Sequence, residues 1–197
     1  MKYGLYLTAV LLLLFPCPAR GSDFIQNKYW SAGKADWQDF SARLEKYGKL
    51  RKSSVRMVLV KEPFDMEDLV KTASGGSSSV LKFNYYRTIP AGVYAYNQMV
   101  SIFFDRKTGE ALKYTMSSQD GCGMTFMEYR RRDQKHIFTY HSYFDDEGYR
   151  EIELDTDEPF VFFDALPVVL RYRLGQNENY TLNLVGSLIS NRIRMPE

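Results

Sequence analysis

The residue type most able to do covalent chemistry in this chain is Cys122, which stands between Gly121 and Gly123 and two residues after Asp120. A thiol used as a nucleophile needs a base within hydrogen-bond reach. The only histidines are His136 and His141. If the chain reverses near Asp133, Cys122 falls opposite about Phe144, and His141 lies three pairs away, roughly 10 Å along a strand. His136 is further still. Cys122 is therefore the one catalytic candidate, with redox or intermolecular pairing as further roles. The plainer reading is a small, weakly hydrophobic residue in a tight turn. The two histidines are five apart and point to opposite faces of a regular strand. No further ligand accompanies them, and a zinc site needs three or four. No metal or cofactor is expected.

Charged groups come in three clusters. Asp145, Asp146, Glu147, Glu151, Glu153, Asp155, Asp157 and Glu158 form an acidic run. It lacks the spacing of a calcium loop, and Glu151, Glu153 and Asp155 share one parity, as a solvated strand face would. Like charges in a row also guard an edge strand against pairing with another chain. Arg43, Lys46, Lys49, Arg51, Lys52 and Arg56 form a basic cluster, and Arg130, Arg131 and Arg132 another. Both suit lipid head groups or acidic glycans; surface charge at turns is the simpler account. Nucleic acid is not expected, because an exported chain does not meet it and stacking aromatics are not interleaved with these charges.

Aromatic residues are the strongest compositional feature, with 15 Tyr and 13 Phe in 197 residues. Ordinary sheet packing accounts for many of them. The alternative is a lined cavity or groove for an apolar, lipid-like or sugar-like ligand. Its candidate wall is Tyr94, Tyr96, Phe126, Phe138 and Tyr140.

The elements that must position these residues are strands. Over residues 80–155 apolar positions recur with period 2 and not 3.6. Tyr94, Tyr96, Val100, Ile102 and Phe104 share one parity; Leu112, Tyr114 and Met116 alternate with Lys113, Thr115 and Ser117; Met124 and Phe126 flank Thr125; Phe138, Tyr140 and Phe144 alternate with Thr139 and His141; Ile152 and Leu154 alternate with Glu151 and Glu153. Turn signals separate the runs at residues 105–109, 120–121, 132–134 and 145–148. Connections this short join antiparallel neighbours. Residues 54–61 and 80–87 read as two strands ahead of the rest, with a Gly/Ser-rich loop at 73–79 between them. Residues 34–47 fit either an amphipathic helix or a bulged strand. Asp164-Ala165-Leu166-Pro167 reads as a turn or helix start, and residues 180–190 as a last strand. The expected fold is all-β: a curved antiparallel meander or small β-barrel with one or two short helical segments.

Residues 1–21 read as a secretory signal peptide, with Lys2 ahead of an apolar stretch at 5–15 and small residues Ala19 and Gly21 before the cleavage point. The stretch is too short for a membrane span, and no other is long enough. Residues 22–197 are then one β-rich domain, exported to the periplasm or cell envelope. Anchoring by lipid on Cys17 is the lesser alternative, because Pro16 stands where a small residue is needed. Removing 1–21 takes away Lys2 and Arg20 and no acid, which leaves 24 basic against 24 acidic side chains. It also leaves Cys122 as the only cysteine, so no internal disulfide can form. Asn179-Tyr180-Thr181 fits a glycosylation sequon, which matters only in a eukaryotic source.

Tyr29-Trp30-Ser31-Ala32-Gly33-Lys34-Ala35, Val80-Leu81-Lys82-Phe83-Asn84, Ala91-Gly92-Val93-Tyr94-Ala95-Tyr96 and Ser117-Ser118-Gln119-Asp120-Gly121-Cys122-Gly123 resemble segments of an uncharacterised family of exported bacterial envelope proteins. That family commonly has an aromatic residue before the cysteine, where Gly121 stands here, and the chain departs further from residue 151 on. The resemblance implies a β-rich periplasmic or membrane-attached protein, and it tilts residues 34–47 towards strand. Some relatives carry a septum-formation-inhibitor label, meaning a cytoplasmic nucleotide pyrophosphatase. An exported chain with no phosphate-binding loop does not support that activity. The leading expectation is a non-catalytic binding module for an apolar or lipid-like ligand or an envelope protein partner. An enzyme or redox protein using Cys122 is the competing class, and a structural component of an envelope assembly is the third.

Overall fold

A computed structural model describes residues 21–73, 78–132, 135–156, 158–173, 179–194 and 196. Of the expected signal peptide at residues 1–21, all but Gly21, and so Cys17 too, lies outside these residues. So do most of the Gly/Ser-rich loop, the turn at 133–134 and Asp157 of the acidic run.

Two short helices, α1 (Gly21–Gln26) and α2 (Lys28–Ser31), precede strands β1 (Ala35–Lys46), β2 (Lys49–Asp65), β3 (Val70–Lys71), β4 (Ser79–Pro90), β5 (Ala95–Asp105), β6 (Ala111–Gln119), β7 (Met124–Arg132), β8 (Lys135–Ser142) and β9 (Tyr149–Leu154). Strand β10 (Phe160–Phe162), a 3-10 turn (Phe163–Ala165), helix α3 (Leu166–Arg173) and strand β11 (Asn183–Val185) follow. Residues 35–46 are strand, which settles the helix-or-strand ambiguity there. The 3-10 turn running into α3 places Pro167 in the first helical turn, where its missing N–H costs no hydrogen bond.

Nine strands form one antiparallel sheet in the order β1-β2-β4-β5-β6-β7-β8-β9, with β3 attached to the end of β2. Neighbours along the path are consecutive in the chain except β2 and β4, whose connection carries β3. Tyr47 and Gly48 join β1 to β2 as a two-residue turn with both φ values positive, 56° and 67°, the pair of conformations that matches strand twist. Asp105 caps the next loop but two, accepting N–H bonds from Lys107 at its carboxylate and from Gly109 at its carbonyl. The sheet does not close into a barrel. The expected curved meander is what forms, with β1 and β9 as free edges.

The inner face of this curved sheet carries the core. Val100, Ile102, Tyr114, Met127 and Phe138 are fully buried and pack with Ile25 of α1, Val168 and Val169 of α3, Phe162, Val185, Leu188 and Ile189. Burying side chains of this size contributes about 1.5–3 kcal/mol each. A second, smaller cluster of Phe64, Leu69, Val80 and Leu112 sits on the opposite face under the β2–β3 loop.

Three local expectations are corrected. Leu112 does not share the face of Tyr114 and Met116. The ladder pairs Phe103 with Lys113 and Phe104 with Ala111, so Leu112 is the extra residue of a bulge and joins the second cluster. Phe126 is not on the core face: Thr125, Met127 and Tyr129 are buried there, and Phe126 alternates outward. Residues 180–190 are strand only at Asn183–Val185, which pairs in parallel with β10. Residues 186–194 then cross the inner face without regular structure. They are held by Thr125 Oγ1 on the carbonyl of Asn191 (2.7 Å), Tyr140 Oη on that of Arg194 (2.6 Å) and Arg87 Nη2 on that of Ile189 (3.3 Å).

Candidate ligand-binding face

The outer face is built by the antiparallel register. Asp39 pairs with Arg56, Arg56 with Tyr86, Tyr86 with Met99, Met99 with Ser117, Ser117 with Phe126, Phe126 with His141 and His141 with Tyr149. Directly opposed residues point to the same side of a sheet. One row of side chains therefore runs at right angles to the strands across all eight, seven steps of about 4.8 Å each. None of these residues is buried. Four of the eight, Tyr86, Phe126, His141 and Tyr149, carry aromatic rings; Asp39 and Arg56 stand at the β1 end, and Met99 and Ser117 lie between Tyr86 and Phe126.

The β1 end of the row is fixed by a closed set of contacts. Arg56 Nε donates to Asp39 Oδ1 at 2.7 Å and its Nη2 to Oδ2 at 3.2 Å, while Trp37 Nε1 donates to Oδ2 at 3.0 Å. The Arg56 guanidinium lies 4.2 Å from the centre of the Trp37 ring, a cation–π arrangement. Hydrogen bonds from Arg56 first and Trp37 second hold the Asp39 carboxyl below the usual carboxylate range. The bond to Asp39 in turn raises the already basic Arg56. The indole stays 56% exposed, so one ring face is held by Arg56 and most of the rest meets solvent. Trp37, Asp39, Arg56, Asn84 and Tyr86 line a shallow depression of about 450 Å³.

The five residues expected to wall a cavity separate. Phe138 and Tyr140 are buried in the core and Tyr96 is buried outside that cluster, and burial pushes the Tyr140 phenol up to about 12. The cleft between α3 and strands β1, β2 and β4 holds only about 50 Å³, well under the ~300–1,000 Å³ of a small-molecule pocket. Phe126 belongs to the outer row. Tyr94 lies beside the β1–β2 turn, its hydroxyl 3.1 Å from that of Tyr47. Tyr47 also bonds the Tyr96 hydroxyl, and Lys46 Nζ sits 3.8 Å from the centre of the Tyr96 ring. Bonds from Tyr94 and Tyr96 lower the Tyr47 phenol, and burial lowers Lys46.

Cys122 is a free, exposed thiol in the β6–β7 turn. Asp120 Oδ1 accepts its backbone N–H at 2.7 Å and that of Gly123 at 3.2 Å. The glycines on either side are explained by packing. A Cβ on Gly121 would come within 3.0 Å of the Tyr94 ring, and one on Gly123 within 2.3 Å of Tyr143. Neither histidine reaches the thiol. His136 Nδ1 is 2.9 Å from the Tyr129 hydroxyl on the inner side, and His141 lies by Phe126 and Tyr149 on the outer side. Burial lowers His136 first, with Arg131 adding to it.

The charged clusters are largely taken up by structure. Glu147 accepts Ser142 Oγ and the Ile193 N–H and pairs with Arg192. Glu153 pairs with Lys135, Arg131 with Glu110, and Arg130 with Glu128. No group of three or more potential metal ligands occurs among the described residues. No helix among them is long and apolar enough to cross a membrane. Sequence reading missed the outer row because its residues alternate with the core positions and look like the polar half of the pattern. The usable signal was the Tyr47-Gly48 turn, from which the β1–β2 register counts Asp39 onto Arg56. No known family model matches the chain, and no curated protein or solved structure matches it either.

Proposed function

We propose that this chain is a non-catalytic binding module of the bacterial cell envelope, and that its ligand is an extended glycan strand lying across the outer face. The observation that carries the reading is the transverse row from Asp39 to Tyr149, with Trp37 beside Asp39 on β1. A sugar ring presents a face of C–H groups and a rim of hydroxyls. Flat rings sharing a row with Ser, Asp and Arg offer matching apolar faces and hydrogen-bond partners, and aromatic residues supply contact area with few torsions to freeze. An exposed stripe of this kind is a usual mark of an interaction surface. Anchors fixed before the ligand arrives lose little freedom on binding, and the Trp37–Asp39–Arg56 set is fixed in this way. A lipid on the inner face is less well supported, because it would have to displace Leu188 and Ile189. A thiol enzyme is less well supported, because neither histidine reaches Cys122.

The test is calorimetric titration with soluble cell-wall glycan fragments. Wild type should bind, and Trp37→Ala and Tyr86→Ala should each weaken binding about tenfold or more with unfolding midpoints little changed. Cys122→Ser should bind as wild type does. Wild type that takes up no glycan, or variants that bind unchanged, would remove the reading. A Cys122→Ser chain that folds but loses all function in cells would favour the enzyme class.

A further inference from the structure

Strand β1 is the sheet's long free edge. It pairs with β2 through twelve consecutive residues with no bulge and no proline. Among the described residues, the hydrogen bonds to its backbone from outside the ladder are at its two ends: Tyr29 Oη on the Ala35 carbonyl and Arg51 Nε on that of Lys46. Between them a row of N–H and C=O groups faces outward. Trp37 and Phe40, 56% and 46% exposed, stand on opposite faces of this strand. The other edge differs. β9 is six residues long and carries Glu151 and Glu153 on its outer face.

An edge of this length is a template for strand addition. Which strand it fits can be read from its own sequence. Two copies related by a two-fold axis perpendicular to the sheet pair antiparallel, and opposed residues must share a face. Only registers in which the two residue numbers add to an even sum satisfy this. A sum of 78 sets Asp39 against itself, and 84 sets it against Glu45. A sum of 82 sets Asp39 against Arg43, Asp36 against Lys46 and Phe40 against Ala42, with Ser41 on the axis. Arg43 has no carboxylate partner among the described residues. A sum of 80 places no carboxylate opposite a cation.

We propose that the protein forms a two-fold dimer by antiparallel pairing of β1 with β1 of a second copy, in the register that places Ser41 on the axis. The two sheets then run on as one, and each dimer uses two Asp39–Arg43 pairs. The proposal stands on the edge and its charges and not on the glycan reading; either survives failure of the other.

The experiment is a cysteine scan in a full chain with Cys17 and Cys122 replaced by serine. At the axis the two Cα atoms come within about 4.5–5.5 Å, inside the span of a disulfide. Ser41→Cys should cross-link to a covalent dimer under mild oxidation. Gln38→Cys faces Leu44 of the second copy and lies about 20 Å along the strand from its equivalent, so it should not. Light scattering should give wild type twice the chain mass, and Arg43→Glu should weaken the dimer about tenfold or more through its repulsion from Asp39. A wild type monomeric at high concentration would overturn the proposal. So would equal cross-linking at both positions, or an Arg43→Glu dimer as tight as wild type.

Discussion

A carboxylate at the rim of an apolar core must find partners for its lone pairs, and Asp164 finds three. Tyr114 Oη donates to its Oδ2 at 2.9 Å, the Leu188 N–H to the same oxygen at 3.2 Å and Ser187 Oγ to Oδ1 at 2.7 Å. One residue thus ties the middle of the sheet to the segment that crosses it. Burial, with the Asp164 charge behind it, raises the Tyr114 phenol well above its usual value. That hydroxyl therefore remains a donor at any pH the protein meets. Asp164→Ala should cost about 1–3 kcal/mol for the stranded Tyr114 hydroxyl alone. Tyr114→Phe in the same chain should return part of the loss. Urea unfolding of the two single variants and the double variant measures this, and strictly additive losses would show that the pair is not coupled. The sequence marks Asp164 as a turn residue beside a proline. It cannot show the carboxylate's work, because Tyr114 and Ser187 are brought to it only by the fold. Cys122 is the reverse case: conspicuous in the sequence, and in the fold a turn residue that neither histidine reaches.

At the scale of elements, period-2 alternation located β4 to β9 well, and the exceptions each have a physical cause. In β6 the extra Leu112 of the bulge shifts parity, so the run from Leu112 to Met116 looks regular while its first residue changes face. In β7 the buried Thr125 reads as outward, since a hydroxyl goes inside only when it is satisfied, here by Asn191 66 residues away. In β1 the positions of Trp37, Phe40 and Leu44 suit a helix as well as a strand. An edge strand with both faces partly in solvent has no single apolar face to decide between them. The bulge has a measurable role. Leu112 is 6% exposed among Phe64, Leu69 and Val80, so Leu112→Ala should cost about 2–5 kcal/mol, read as a lower urea midpoint with an unchanged slope. A loss under about 1 kcal/mol would mean that this cluster collapses around the gap.

Over the whole molecule, curvature and one-sided burial were legible, and the choice between open sheet and barrel was not. Closure depends on strand tilt and shear, which alternation does not encode. What covers the inner face was equally hidden, because α1 and residues 160–173 and 179–194 come from opposite ends of the described chain and neither shows a strong period. Ending the chain before Asn183 removes Val185, Leu188 and Ile189 from the core. The product should bind a hydrophobic dye and lose its cooperative unfolding, while its far-ultraviolet spectrum keeps strand character. A truncated chain that still unfolded sharply would make those residues an ornament of the fold. The placement of the covering segments also sets an order of events. Hairpins of the meander join near neighbours in sequence and can form early, whereas contacts of residues 186–194 with Arg87, Thr125 and Tyr140 close loops of 54 to 102 residues and come late. Until they do, the half-made protein is a curved sheet with a bare aromatic face, the kind of surface that sticks to its own copies or to a chaperone. The C-terminal strap decides how long that vulnerable interval lasts.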